Sequence, residues 1–267
     1  MFSKKDIILQ LENMGAPKDK MVIVHTSMKA VGEVEGRAQG FLDALIEYFT
    51  SEGGVLCIPT HTWGNFYGGK EIALDENSPK TCVGVLCDTA AADRRAIRTL
   101  SNPTHSLALF GDKSKVERLV KKESAVNTPT SPKGCYGEIF EGGYVLLIGV
   151  GHDKNTALHC VEEMIPVPNR LSKEPAIMNV IDKNGQIKKR EFIYMYAEGN
   201  DDVSQFFPKY EPAFRYHDGI KDGVIGNAKA QLCNAEIMKK VMYTVFNRSG
   251  GVELLFDDIP LKEEWYK

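Results

Sequence analysis

The chain carries six histidines, at positions 25, 61, 105, 152, 159 and 217. Four of them directly follow a strand-like or turn-like run rich in Gly, Ser or Thr. Imidazole is the side chain that changes charge near neutral pH, so this grouping points to proton transfer. The sharpest pattern is His159 with Glu162. Three residues apart on a helix, they share one face. A carboxylate so placed can orient the ring and stabilise the imidazolium, which is the equipment of a general base. His152 is a rival base. Cys160 lies on a different face of the same helix and reads as an inert buried thiol. No histidine pair has the spacing of HExxH, so a metal site ranks below acid–base chemistry. There is no GxSxG turn, so a Ser-His-Asp hydrolase is weakly supported.

The stretch that must position this pair is Tyr144 to Glu163, YVLLIGVGHDKNTALHCVEE. Val145-Leu146-Leu147-Ile148 has the length and apolar content of a buried strand. Gly149 and Gly151 allow a sharp turn. Asn155 or Thr156 can cap the helix that follows. Two earlier strands show the same design. Met21 to Val24 runs into His25-Thr26-Ser27-Met28-Lys29, and the strand 53–59 runs into Thr60-His61-Thr62-Trp63. A helix from Phe41 to Phe49 connects them, which predicts parallel pairing. Chemistry then gathers at the carboxyl ends of the strands of an α/β fold. The hydroxyls of Thr26 and Ser27, the loop amides and Lys29 suit a phosphate or an amide-bearing ligand; a plain strand–helix connection is the alternative.

Elsewhere the pattern predicts helices over 3–15, 83–95, Lys113 to Lys122 and Ala235 to Phe246, and a loop over 64–80. Asn184-Gly185, between Ala176 to Ile181 and Lys189 to Tyr196, predicts a hairpin. Pro166 and Pro168 should end the helix after Glu163. The segment from Asp201 to Tyr210 reads as helical and exposed. No internal repeat or linker breaks the chain, so residues 1–267 read as a single domain with a hairpin-containing insertion around 176–196.

Composition narrows the class. With 43% hydrophobic and 26% charged residues, the chain is of ordinary globular make-up. A net charge of −3 and the lack of a basic block argue against nucleic acid. No apolar run is long enough for a membrane span, and the start MFSKKDIILQLENMG lacks a signal-peptide core. Six scattered cysteines without a CxxC pair suit reduced thiols and a cytoplasmic location.

The ordered segments HTSMKAVGEVEG at 25–36, PTHTW at 59–63, SNPTHS at 101–106, TSPKG at 130–134, GVGHDKNTALHCVEE at 149–163 and HDGIKDGVIGNAKAQLCNAE at 217–236 together resemble the aminoglycoside 3-N-acetyltransferase family. The resemblance covers nearly the whole chain. It implies a three-layer α/β/α fold with a mixed, largely parallel sheet. It implies transfer of an acetyl group from acetyl-CoA to an amino group of an aminoglycoside or a similar amine, with no metal. Carried over residue by residue, the resemblance makes His159 the base and Glu162 its partner. His25, Thr26, Ser27, Met28, Lys29, Val31, Gly36 and Ser106 would hold coenzyme A. Glu163, Asn102 and His105 would face the acceptor. The chain departs from resistance-conferring members in reading HTSMK where they read HASLK or HSSLK, in Asn102 where they often carry His, and in having His152. An acceptor other than an antibiotic, or a coenzyme A-binding homologue without acetylation activity, is the alternative. A homodimer is compatible with the sequence.

Overall fold

The computed structural model describes residues 1–165, 167–197 and 202–267. Among the described residues ten strands form two sheets. The strands are β1 (Met21–Thr26), β2 (Val55–Pro59), β3 (Ile72–Asp75), β4 (Ile97–Arg98), β5 (Leu107–Phe110), β6 (Tyr144–Ile148), β7 (Ala176–Ile181), β8 (Ile187–Phe192), β9 (Ile220–Ile225) and β10 (Ala228–Asn234). Seven of them make the main sheet, in the order β4-β5-β2-β1-β6-β10-β9. The three central strands, β2, β1 and β6, are parallel, and both flanks are antiparallel.

Ten helices surround the sheets: α1 (Lys4–Met14), α2 (Met28–Val31), α3 (Arg37–Thr50), α4 (Trp63–Tyr67), α5 (Val85–Ala92), α6 (Lys113–Glu123), α7 (Cys135–Ile139), α8 (Ala157–Met164), α9 (Glu211–Tyr216) and α10 (Ala235–Arg248). Alternate side chains of the central strands enter two separate cores, as the pleat requires. Ile23, Val145 and Leu147 join Leu158, Val161, Phe207, Phe214 and Met238 on one face. Val22, Val24, Leu146 and Ile148 join Ile7, Leu11, Phe41 and Leu45 on the other. Helices on both faces of one mixed sheet make the three-layer α/β/α architecture.

The predicted strands at 21–24, 53–59 and 145–148 and the helices over 3–15, 41–49, 83–95, 113–122 and 235–246 all form within a few residues of their expected bounds. Ser3 caps α1 through a reciprocal capping box with Asp6. The hairpin at Asn184-Gly185 pairs β7 with β8, antiparallel. Two readings are corrected. Residues 64–80 are not simply a loop: they hold most of α4 and all of β3, which pairs parallel to β7. Their glycines and polar residues hide a short strand that exists only because the hairpin supplies its partner. The turn Val203–Tyr210 is 3₁₀ and buries Val203, Phe207 and Tyr210, so it is not an exposed helix. The predicted start of that segment, Asp201, and the predicted helix breaker Pro166 lie outside the described residues.

Candidate active site

The carboxyl ends of β1, β2 and β6 form one mouth, as parallel strands must. At β6 the chain turns through Gly149, which sits at φ 65° with a hypothetical Cβ only 2.4 Å from the Cβ of Ala30. Only glycine lets the β6 turn and α2 close so tightly. A 3₁₀ turn over His152–Lys154 then leads into α8. Thr156 occupies the cap position of α8 but makes no side-chain capping bond, so the capping expected of Asn155 or Thr156 is absent.

On α8 the His159–Glu162 pair closes directly. Nδ1 of His159 lies 2.7 Å from Oε2 of Glu162. An ionised carboxylate only accepts, so Nδ1 is the donor in this contact and Nε2 is the nitrogen left for other chemistry. Among the described residues no hydrogen bond is made by Nε2, and His159 keeps 8% of its surface exposed. The edge of its ring meets Phe207 at 4.8 Å between centroids. Glu162, only 2% exposed, uses its second oxygen, Oε1, to accept from Nε of Arg170 at 2.7 Å.

Four other histidines surround this pair or the neighbouring turn. His61 reaches the Tyr136 hydroxyl at 2.8 Å and lies 4.8 Å, ring to ring, from His105. His105 bonds the Thr104 hydroxyl at 2.9 Å. Burial holds both well below the usual imidazole range, His105 at about 3, with the proximity of His159 adding to the effect. Burial, followed by the nearness of His152, lowers His25 to about 4. His152 has no exposed surface, bonds Asn155 at 3.2 Å through Nδ1, and is pushed down to about 4 by burial. These four rings are neutral at physiological pH and none faces a bound carboxylate as His159 does. Cys160 is buried and its thiol pKa lies well above its usual value, again through burial.

The structure gives several of the expected binding residues other work. Val31 is wholly buried in the core beside α3, and its carbonyl accepts from the Asn227 amide at 3.0 Å. The Ser106 hydroxyl donates to the Thr60 carbonyl at 2.8 Å and lies 2.9 Å from the Thr60 hydroxyl, tying β5 to β2. Asn102 donates to Glu123 and to the Pro129 carbonyl, and accepts from the His105 amide. The Glu163 carboxylate accepts from the Thr128 and Thr130 hydroxyls and from the Thr130 amide, which fastens the 128–134 loop. Gly36 opens α3 at φ 72° and backs onto Gly40. Each fits its place in the sequence motif, but its polar groups are engaged in holding the fold. Met28 and Lys29 sit on α2, whose cap is Ser27, and Lys29 is solvent-exposed. Nε2 of His25 and Oγ1 of Thr26 are buried without partners among the described residues, as is Nε2 of His152. Arg170 went unnoticed in the sequence because only the return of the chain after α8 brings it under Glu162.

An imidazole backed by a carboxylate at the carboxyl ends of parallel strands is a layout suited to group transfer in an α/β enzyme. Residues 23–247 match the aminoglycoside 3-N-acetyltransferase family, and the chain belongs to it. It is an acyltransferase of that type. The aminoglycoside N(3)-acetyltransferase IV of Salmonella sp. is 26% identical over 256 residues, 95% of this chain and 89% of that protein. The solved apoenzyme of aminoglycoside acetyltransferase AAC(3)-IVa superposes with a TM-score of 0.76 at 25% identity, covering 97% of this chain and 92% of its own. A mutant of that enzyme has been solved in complex with a gentamicin. The fold is also that of AAC-IIIb, solved with CoASH, at a TM-score of 0.72, 17% identity and coverage of 92% and 97%.

Proposed function

We propose that this enzyme transfers the acetyl group of acetyl-CoA to an amino group of an aminoglycoside or a similar amine, directly, with His159 as general base. The observation that carries the assignment is the 2.7 Å contact between His159 and Glu162. Of the buried imidazoles at the mouth, this one is bonded directly to a carboxylate, and its second nitrogen makes no hydrogen bond among the described residues. Glu211 and Asp153 act on His152 only at a distance and its Nε2 is buried, which supports His159 over His152 as the base.

Acetyl-CoA supplies an activated acyl group. The segment from His25 to Lys29 at the carboxyl end of β1 would hold it. The acceptor reacts as the neutral amine, because an ammonium has no lone pair to attack with, and Nε2 of His159 takes one proton from that nitrogen as it attacks. The nitrogen bonds the acetyl carbon, the carbon–sulfur bond breaks, and the proton on His159 passes to the departing sulfur, leaving the amide and the free thiol. Glu162 holds the ring in the tautomer that leaves Nε2 facing the reactants.

A second reading concerns the acceptor. The carboxylates nearest His159 are already engaged: Glu162 by His159 and Arg170, Glu163 by two threonines, and Glu253 by Arg170. A polycation gains most from unpaired carboxylates. This favours an amine less highly charged than a resistance substrate. Release of free thiol from acetyl-CoA, followed with aminoglycosides and with simple amino sugars, separates the two. Turnover of aminoglycosides alone removes the second reading, and no amine-dependent release from any acceptor removes both.

A further inference from the structure

Arg170 sits at the middle of a buried chain of charges that the mechanism above leaves without a role. Its Nε donates to Glu162 at 2.7 Å, and its Nη2 pairs with Glu253. Arg170 is 4% exposed. His159 stands at one end of this chain and Glu253 at the other. Three separate parts of the sequence meet here: α8, the stretch that returns after it, and the segment that follows α10.

That last segment is firmly held. The Glu253 carboxylate also accepts from the Leu255 amide at 2.6 Å. Nζ of Lys209 donates to the Leu254 carbonyl at 2.6 Å and to the Asp257 carboxylate at 3.1 Å. Leu255, Leu261 and Tyr266 enter the core that also holds Leu158 and Val161 of α8. The family match ends at residue 247, so Glu253 lies beyond it.

The charges fix what such a chain does. Glu162 and Glu253 carry two negative charges and Arg170 one positive. With His159 neutral the group sums to −1, and with His159 protonated it sums to zero. Without Glu253 the same proton would take the group from zero to +1, which costs more in a buried setting. Arg170 acts in the opposite sense on charge, while its planar fork stops the Glu162 carboxylate from rotating away from the ring. The other groups facing His159 do not replace this balance. Glu163 is engaged by Thr128 and Thr130, His61 and His105 are neutral, and Tyr210 feels Glu162, Glu253 and Arg170 from the 203–210 turn.

We infer that Arg170 and Glu253 are positioning residues that set the orientation and basicity of His159, so that the segment after α10 is part of the acetyl-transfer site. This rests on His159 as the base. The discriminating measurement is the titration of the His159 ring by histidine-selective NMR on the full chain, with His159→Ala to assign the signal. Glu253→Gln should lower the midpoint and Arg170→Met should raise it, with the nearer charge, Arg170, having the larger effect. Arg170→Lys keeps the charge and loses the fork, so its midpoint should stay put while kcat falls.

A purely structural role would not move the two midpoints in opposite directions. If Arg170→Met does not fold, Glu253→Gln, which is nearly isosteric, decides alone. An unmoved midpoint in Glu253→Gln overturns the inference and leaves the base assignment standing. Shifted midpoints together with wild-type turnover by His159→Ala would overturn the base assignment instead.

Discussion

His159 and His152 are both buried imidazoles at the carboxyl end of β6, and they differ in their company. His159 has a carboxylate at 2.7 Å and a second nitrogen that makes no hydrogen bond among the described residues. His152 has an amide at 3.2 Å, a phenylalanine ring at 5.2 Å and an Nε2 buried without a partner. Burial alone makes a histidine a poor base, because it penalises the form that has accepted the proton. Burial beside a fixed carboxylate removes much of that penalty and keeps water away. The difference between the two rings is therefore one of counter-charge and access, with depth much the same.

The most severe test of this contrast is His159→Ala. It should cut acetyl transfer by roughly a hundred- to ten-thousandfold, the range of general base catalysis, while coenzyme A affinity measured by calorimetry stays close to wild type. Wild-type-like turnover would end the assignment. Glu162→Gln comes next. The amide keeps the shape but loses the charge that stabilises the imidazolium, so kcat should drop by about tenfold or more, less than for His159→Ala. A Glu162→Gln rate equal to wild type would mean that the ring needs no counter-charge.

A smaller effect is expected from His152→Leu. Its acetylation rate should stay within about tenfold of wild type if, as proposed, His159 is the base. A loss as large as that of His159→Ala would reverse the comparison. The smallest effect is on stability. His152 is held at about 4 in the folded chain against 6.5 ordinarily. Between those values the unfolded chain binds the extra proton, so stability is complete above about 6.5 and falls as pH drops towards 4. The slope is about 1.4 kcal/mol per pH unit for one such group. Denaturant melts of His152→Leu across this window should show a shallower decline than the wild type. Equal slopes would show that His152 does not titrate on unfolding.

Much of this was legible in the sequence, because much of it is local. The apolar run 145–148, the glycine turn and the three-residue spacing of His159 and Glu162 are set by neighbours in the chain. The polar ends of β1 and β2 could be read in the same way. Where the reading failed, the missing information was non-local. β3 forms only against β7, from about a hundred residues away. Val203, Phe207 and Tyr210 are buried because a core formed elsewhere accepts them.

The sequence by itself determined an α/β chain with histidines at strand ends and an imidazole–carboxylate pair on one helix face, since periodicity and spacing are properties of adjacent residues. The tertiary structure alone decided which imidazole bonds a carboxylate and which ends with its Nε2 buried. It also decided that Ser106, Asn102 and Glu163 bond to neighbouring loops and strands, and that Arg170 joins Glu162 to Glu253. Those outcomes depend on partners such as Glu253, 83 positions beyond Arg170, and no local pattern of residue types encodes such a contact.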